Sequence, residues 1–235
     1  MPRRLRAASG GYVYDVLNRA VGRAKLFNKG GDYAAFVKVL GEAHDEVPLR
    51  VLAFCLMPTH WHLLVWPQED GELSRFMHWL TMTHTQRWHA HHHTVGTGPL
   101  YQGRFKAFPA QEDDHLWTVW RYVERNALRT GLVERAELWP WCSLEMRERG
   151  AAPPWLSAGP MPLPGGWLKY VNGVETEAEL EALRRCANRG VPCGDEQWQR
   201  QTVEQLGLET TLRPRGRPRK TPPTVQTGSR PLCFL

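Results

Sequence analysis

Residues 51–66 read VLAFCLMPTHWHLLVW, and the fold turns on them. The runs VLAFCL (51–56) and HLLVW (62–66) are apolar, of strand length, and separated by Met57-Pro58-Thr59, so the stretch predicts a β-hairpin. Its second strand opens on His60, Trp61 and His62. Side chains alternate faces along a strand, so both imidazoles project from one face and Trp61 from the other. Such a pair can hold a metal ion; it is equally the pattern of two interface histidines bonded to backbone or water. Partners elsewhere in the chain decide between these readings.

Working outward, YVYDVLN (12–18) alternates as a first strand, and DYAAFVKVLGEAHDEV (32–47) places Phe36, Val39, Leu40 and Ala43 at helical spacing ahead of Pro48. Residues 72–93 predict a longer helix with Leu73, Phe76, Met77 and Leu80 on one face. GRFKAFPA (103–110) alternates as a strand that carries Arg104 and Lys106. A third helix starts at Asp113 or Asp114, whose carboxylates suit a helix N-terminus, and runs to Gly131. The order β, α, β, β, α, β, α predicts the α+β class, with a ferredoxin-like antiparallel sheet and helices packed on one face.

The core closes around WPWCSL (139–144), which gives a main domain over residues 1–150. A proline- and glycine-rich linker over 151–173 follows, then a small helical extension over 174–212. In that extension TEAELEALRRCANRG and DEQWQRQTVEQLG have the lengths of a helix-turn-helix. Residues 213–235 read as a basic tail without regular structure, with an AT-hook-like PRGRP at 214–218.

Charge sharpens this division. The chain of 235 residues has a net charge of +6, and the ends supply it. Arg3, Arg4, Arg6, Arg213, Arg215, Arg217, Arg219 and Lys220 sit in stretches without acids; setting those eight aside leaves 22 basic residues against 24 acidic ones. Basic ends suit a polyanion, since each phosphate neutralised releases counterions. No run of about eighteen apolar residues could span a bilayer. The five cysteines, without a Cys-x-x-Cys pair, fit reduced thiols in a cytoplasmic chain. The histidine-rich stretch (His78, His84, His89, His91, His92, His93) lacks a companion acid in sequence and predicts incidental metal affinity.

The third helix offers partners for the histidine pair. Its apolar stripe is Leu116, Val119, Trp120, Val123 and Ala127; Tyr122 lies off the stripe, and Asn126, four residues on, shares its face. A phenol and an amide oxygen so placed suit a nucleophile and a metal ligand, or simply a surface Tyr and a solvated Asn. Taken together, GYVYDVLNR, CLMPTHWHLLVWP, LYQGRFKAF and RYVERNALRTGLV, over residues 10 to about 145, resemble the HUH single-strand DNA transposases with one catalytic tyrosine, and within them the REP-associated tyrosine transposases. Many members have His where Asp15 stands, Asn where Thr59 stands, and Asn-Pro-Val where this chain has Asn126-Ala127-Leu128.

The resemblance implies a metal-dependent enzyme that cleaves and rejoins single-stranded DNA bearing imperfect hairpins. Tyr122 would be the nucleophile, leaving a 5′-phosphotyrosine, with Tyr101 next in line. His60, His62 and Asn126 would hold Mg²⁺ or Mn²⁺. Arg104 and Lys106 would contact the single strand, and Arg213, Arg215, Arg217, Arg219 and Lys220 would reach DNA, duplex DNA included. Trp66, Trp79, Trp88, Trp117 and Trp120 fall in periodic elements and read as core. A monomer is expected. The competing reading is a DNA-binding regulator that keeps the fold without turnover; a nuclease using water is a third.

Overall fold

The structure is a computed structural model that describes residues 8–213. Arg3, Arg4 and Arg6, the tail residues Arg215, Arg217, Arg219 and Lys220, and the whole of PRGRP lie outside the described residues.

Strands β1 (Val13–Arg19), β2 (Arg50–Met57), β3 (His60–Trp66) and β4 (Lys106–Ala110) form one sheet in the order β2-β3-β1-β4. Every pair is antiparallel. Helices α1 (Gly30–Glu46) and α2 (Glu72–His91) connect them in ferredoxin-like order. The hairpin closes on Pro58-Thr59, pairing Met57 with His60. Outside contacts hold this turn: the Pro58 carbonyl accepts from the backbone N–H of Leu26 (2.7 Å) and Phe27 (3.2 Å), and the Thr59 carbonyl from that of Ala20 (3.0 Å). Arg104 precedes β4 instead of lying on it. Continuous pairing with β1 begins only at Lys106 opposite Leu17, after an isolated bridge between Ala20 and Tyr101 with residues 102–105 looping between the two.

On one face, Phe36 and Leu40 of α1 and Phe76 and Leu80 of α2 pack against Tyr14, Val16, Phe54, Trp61 and Leu63. The ferredoxin-like expectation places helices there. The second face is covered as well, and the strands explain why: β2 and β3 are buried almost continuously instead of alternating, as in a sheet with helices on both sides. Val13, Ala53, Cys55, Leu64 and Phe108 meet Leu116, Val119, Trp120 and Val123 of α3 (Asp114–Glu124). The Asp113 carboxylate caps α3 by accepting from the His115 N–H at 2.8 Å. The chain continues through Arg125 into α4 (Asn126–Arg129), and Gly131 follows in the left-handed region.

A buried carboxylate fixes α3. Glu124, with no exposed surface, accepts from Ser143 Oγ (2.7 Å) and an Arg147 guanidinium nitrogen (2.6 Å) on α5 (Ser143–Glu148), and from Trp167 Nε1 (2.8 Å) on α6 (Trp167–Asn172). Trp120 is buried among these elements, Trp66 and Trp117 pack partly buried against the same core, and Trp79 and Trp88 pack partly buried against the core on the α1/α2 side.

The stretch read as a linker is not slack. Trp155 packs its ring on Phe54 at 5.8 Å, the Ser157 N–H donates to the Val51 carbonyl at 2.8 Å, and Gly159 lies where any Cβ would meet Trp120. Burying an indole against β2 outweighs the linker-like composition. Beyond it come α7 (Glu177–Arg189), α8 (Glu196–Gln205) and α9 (Glu209–Leu212). A capping box between Thr176 and Glu179 starts α7, and Gly190 at φ 74° ends it. The two longer helices do not form a helix-turn-helix unit of their own. Leu183 and Cys186 of α7 belong to the core on the α3 side, whereas Val203 of α8 belongs to the core on the α1/α2 side. Cys55, Cys142, Cys186 and Cys193 are free and buried. Among the described residues no helix is long and apolar enough to cross a membrane.

Candidate active site

His60 and His62 open β3 at the middle of the sheet, where His62 lies between Leu17 of β1 and Cys55 of β2. Their rings stand 5.5 Å apart, on the face covered by α3, while Trp61 points into the opposite core. Each imidazole is held through Nδ1. That of His62 lies 3.0 and 3.2 Å from the two carboxylate oxygens of fully buried Asp15, and that of His60 lies 3.2 Å from Thr59 Oγ1. Asp15 is thus an orienting group: by accepting from His62 Nδ1–H it leaves the His62 Nε2 lone pair to face the cleft side. Burial, followed by the nearby His62, Arg19 and Arg129, pushes the His60 pKa down to about 3, so its ring is neutral at ordinary pH.

Tyr122 and Asn126 reach the same place from α3 and α4. Tyr122 meets His62 edge-on at 5.7 Å, and the Arg129 guanidinium sits 3.8 Å from the centre of its ring. Off the apolar stripe by periodicity, Tyr122 is nonetheless only 9% exposed, because sheet and Arg129 enclose it. Burial raises its pKa, and the Arg129 charge opposes that. Asn126 is 2% exposed, and its Nδ2 has no hydrogen-bond partner among the described residues. The two ends of a carboxamide exchange by a flip, so the position of that orphaned atom can equally carry an oxygen facing a cation. Two imidazole nitrogens and one amide oxygen are a donor set that fits a divalent ion with places left for water and phosphate oxygens.

His60, His62, Tyr122 and Asn126 line one cleft of about 440 Å³, and so do Arg104 and Lys106. Arg213 does not; it is exposed, and its carbonyl accepts from Arg189. A second depression between α2 and the 99–105 loop adjoins this cleft at Asn18, Gly103 and Arg104. Tyr101 is removed from the chemistry. It lies in the core across the sheet, bonded to Trp61 Nε1 (3.1 Å) and His84 Nδ1 (2.6 Å), and burial drives its pKa far up. In the histidine-rich stretch, His91 and His92 approach Asp32, forming the one loose group of three His, Cys, Asp or Glu ligands among the described residues. None of the three lines the cleft, and the Asp32 carboxylate already accepts from the backbone N–H of Asn28 and Lys29.

Sequence reasoning missed Asp15 as the partner of His62, Arg129 over Tyr122, and the cleft residues Arg19, Arg184 and Asn188. The seven-residue step from Tyr122 to Arg129, two helical turns, could have flagged Arg129. Arg184 and Asn188 arrive from a distant helix and left no local signal.

A family model described as transposase, IS200-like, matches residues 10–126. Among solved structures, a REP-associated tyrosine transposase bound to a REP hairpin superposes with a TM-score of 0.53 at 18% identity, covering 68% of this chain and 92% of that one. A Deinococcus radiodurans R1 protein assigned as a transposase aligns at 17% identity over 52% of this chain and 96% of that one, with a TM-score of 0.35. A comparison with curated proteins finds no match. The matched segment starts just before β1 and stops at Asn126, so it contains the whole sheet and the part of the cleft built upon it, and the chain belongs to the IS200-like transposase family.

Proposed function

We propose that this chain cleaves and rejoins single-stranded, hairpin-bearing DNA in the cytoplasm through a 5′-phosphotyrosine at Tyr122. The observation that carries the reading is the convergence of Tyr122, Asn126, His60 and His62 on one cleft that also presents Arg19, Arg104, Lys106 and Arg129. The Tyr122 oxygen bonds to phosphorus, the bond to the 3′ oxygen breaks, and the phenolic proton ends on that 3′ oxygen. An incoming 3′-hydroxyl reverses the step, so the ester is kept for rejoining. Raised in pKa by its surroundings, the phenol is protonated at neutral pH; the Arg129 cation over its ring stabilises the charge left on the oxygen as its proton departs. His60, His62 and Asn126 would hold Mg²⁺ or Mn²⁺, which supplies charge stabilisation to the phosphate oxygens when bound. Basic side chains along the cleft suit a polyanionic strand. The REP hairpin bound to the superposed neighbour supports a hairpin substrate for this chain. One chain contributes all four site residues, which supports a working monomer.

The test is incubation with end-labelled hairpin DNA and Mn²⁺, followed by denaturing electrophoresis. Wild-type protein should yield a covalent adduct that Tyr122→Phe and EDTA abolish and Tyr101→Phe preserves. Hairpin binding with no adduct would make the chain a DNA-binding regulator, and free ends without adduct would make it a hydrolytic nuclease.

A further inference from the structure

The family match stops at Asn126, but the cleft does not: Arg184 and Asn188, one turn apart on α7, form part of its wall. The helix is firmly seated there. Leu183 and Cys186 are buried in the core shared with α3, and Arg121 of α3 bonds Glu179 at 2.9 Å. Just ahead of α7, buried Glu175 receives Arg125 (3.2 Å) and Arg129 (3.3 Å), the same Arg129 that covers Tyr122. On the sheet side, Lys106 Nζ of β4 lies 3.5 Å from Asn188 Oδ1.

The outward residues of this braced helix are not needed to hold it. Arg184 pairs with Glu177 at 2.9 Å, but the two side chains are 52% and 78% exposed. A solvated pair of that kind contributes little, so a phosphate can replace the carboxylate, and the planar guanidinium suits a phosphate in two-pronged fashion. The Arg184 charge also reaches Tyr122, acting with Arg129 against the effect of burial on the phenol.

We propose that α7 is part of the DNA-binding wall of the cleft, with Arg184 gripping a backbone phosphate of the single strand as it passes Tyr122 and Asn188 steadying Lys106 for the same strand. The inference rests on the DNA-cleavage reading above and extends its substrate contacts beyond the family-matched segment.

The test compares Arg184→Ala with Arg185→Ala, an equal charge change on an exposed neighbour that does not line the cleft. Hairpin DNA with a single-stranded flank is titrated in a Tyr122→Phe background at several salt concentrations, and adduct formation is timed with Tyr122 intact. Arg184→Ala should weaken binding about tenfold, as for loss of one charged hydrogen bond, and make the salt slope shallower by about 0.7. Its adduct rate should fall at limiting DNA and recover at saturating DNA, while Arg185→Ala stays near the parent. Equal affinity and slope in the two variants would overturn the proposal, as would a faster adduct in Arg184→Ala, which would make α7 a cover over the site. An adduct from wild type with equal variants sinks the α7 inference alone. No adduct from wild type, but weaker binding in Arg184→Ala, sinks the cleavage reading and leaves the DNA wall standing. Hairpin DNA that does not bind at all removes both.

Discussion

Replacing Asp15 by asparagine separates the stability of the fold from the affinity of the site. The Asp15 carboxylate has no exposed surface, and its only side-chain partner among the described residues is His62 Nδ1, at 3.0 and 3.2 Å. Removing a carboxylate from water costs several kcal/mol even after relaxation, whereas one charged hydrogen bond returns about 1.5–3 kcal/mol. The pair therefore does not repay its burial in the metal-free protein, and Asp15→Asn should leave the melting temperature unchanged or higher. The metal-bound state is different. Asp15 fixes the tautomer and ring orientation of His62, and loss of such a partner weakens metal binding about 10- to 100-fold, or about 1.4–2.7 kcal/mol. Calorimetric titration with Mn²⁺ and thermal unfolding of the metal-free protein measure the two quantities. Asn should cost less affinity than Ala, since its amide oxygen still accepts from Nδ1–H. Wild-type Mn²⁺ affinity in Asp15→Ala would refute the orienting role, and a clear drop in the metal-free melting temperature of Asp15→Asn would refute the balance of magnitudes.

Three other perturbations read other parts of the molecule. Glu124→Ala strips the shared acceptor from Ser143, Arg147 and Trp167 and should cost about 3–5 kcal/mol in urea unfolding, as when one partner of a buried ion pair is removed; a loss under about 1 kcal/mol would show that other contacts hold α3. His84, 5% exposed, is pushed by burial down to a pKa of about 3. Its folded pKa lies below the unfolded value, so its contribution is complete above about pH 6.5 and is lost toward pH 3 at up to about 1.4 kcal/mol per pH unit. Denaturant titrations across that window should show this slope in the difference between wild type and His84→Gln; parallel profiles would contradict it. Deleting residues 214–235 removes Arg215, Arg217, Arg219 and Lys220 and should weaken DNA binding and flatten its salt dependence, whereas unaltered affinity at every salt concentration would leave those charges merely solvated.

What could be read from the sequence divides along a physical line. The strands, the hairpin and the helices depend on local periodicity, and Phe36, Leu40, Phe76 and Leu80 all face the core their spacing assigns them to. The second helical layer was also written there, in the unalternating apolar runs 51–57 and 62–66, since a strand facing water on one side alternates. Tyr122 eluded the periodic argument because its burial comes from outside its helix, from Arg129 and the sheet. Asp15 reads as an interruption in a strand until β1 and β3 pair and bring its carboxylate to His62. Arg184 and Asn188 are ordinary surface residues of an amphipathic helix in sequence, and only the docking of α7 against α3 and β4 makes them cleft residues. Glu175 joins the two regions: it binds Arg129, which covers the phenol, and stands at the entry to α7, which carries Arg184. The carboxylate that binds the tyrosine's cation is thus two residues ahead of the helix that brings Arg184 to the cleft, so loss of Glu175 should disturb Arg129 and the start of α7 together.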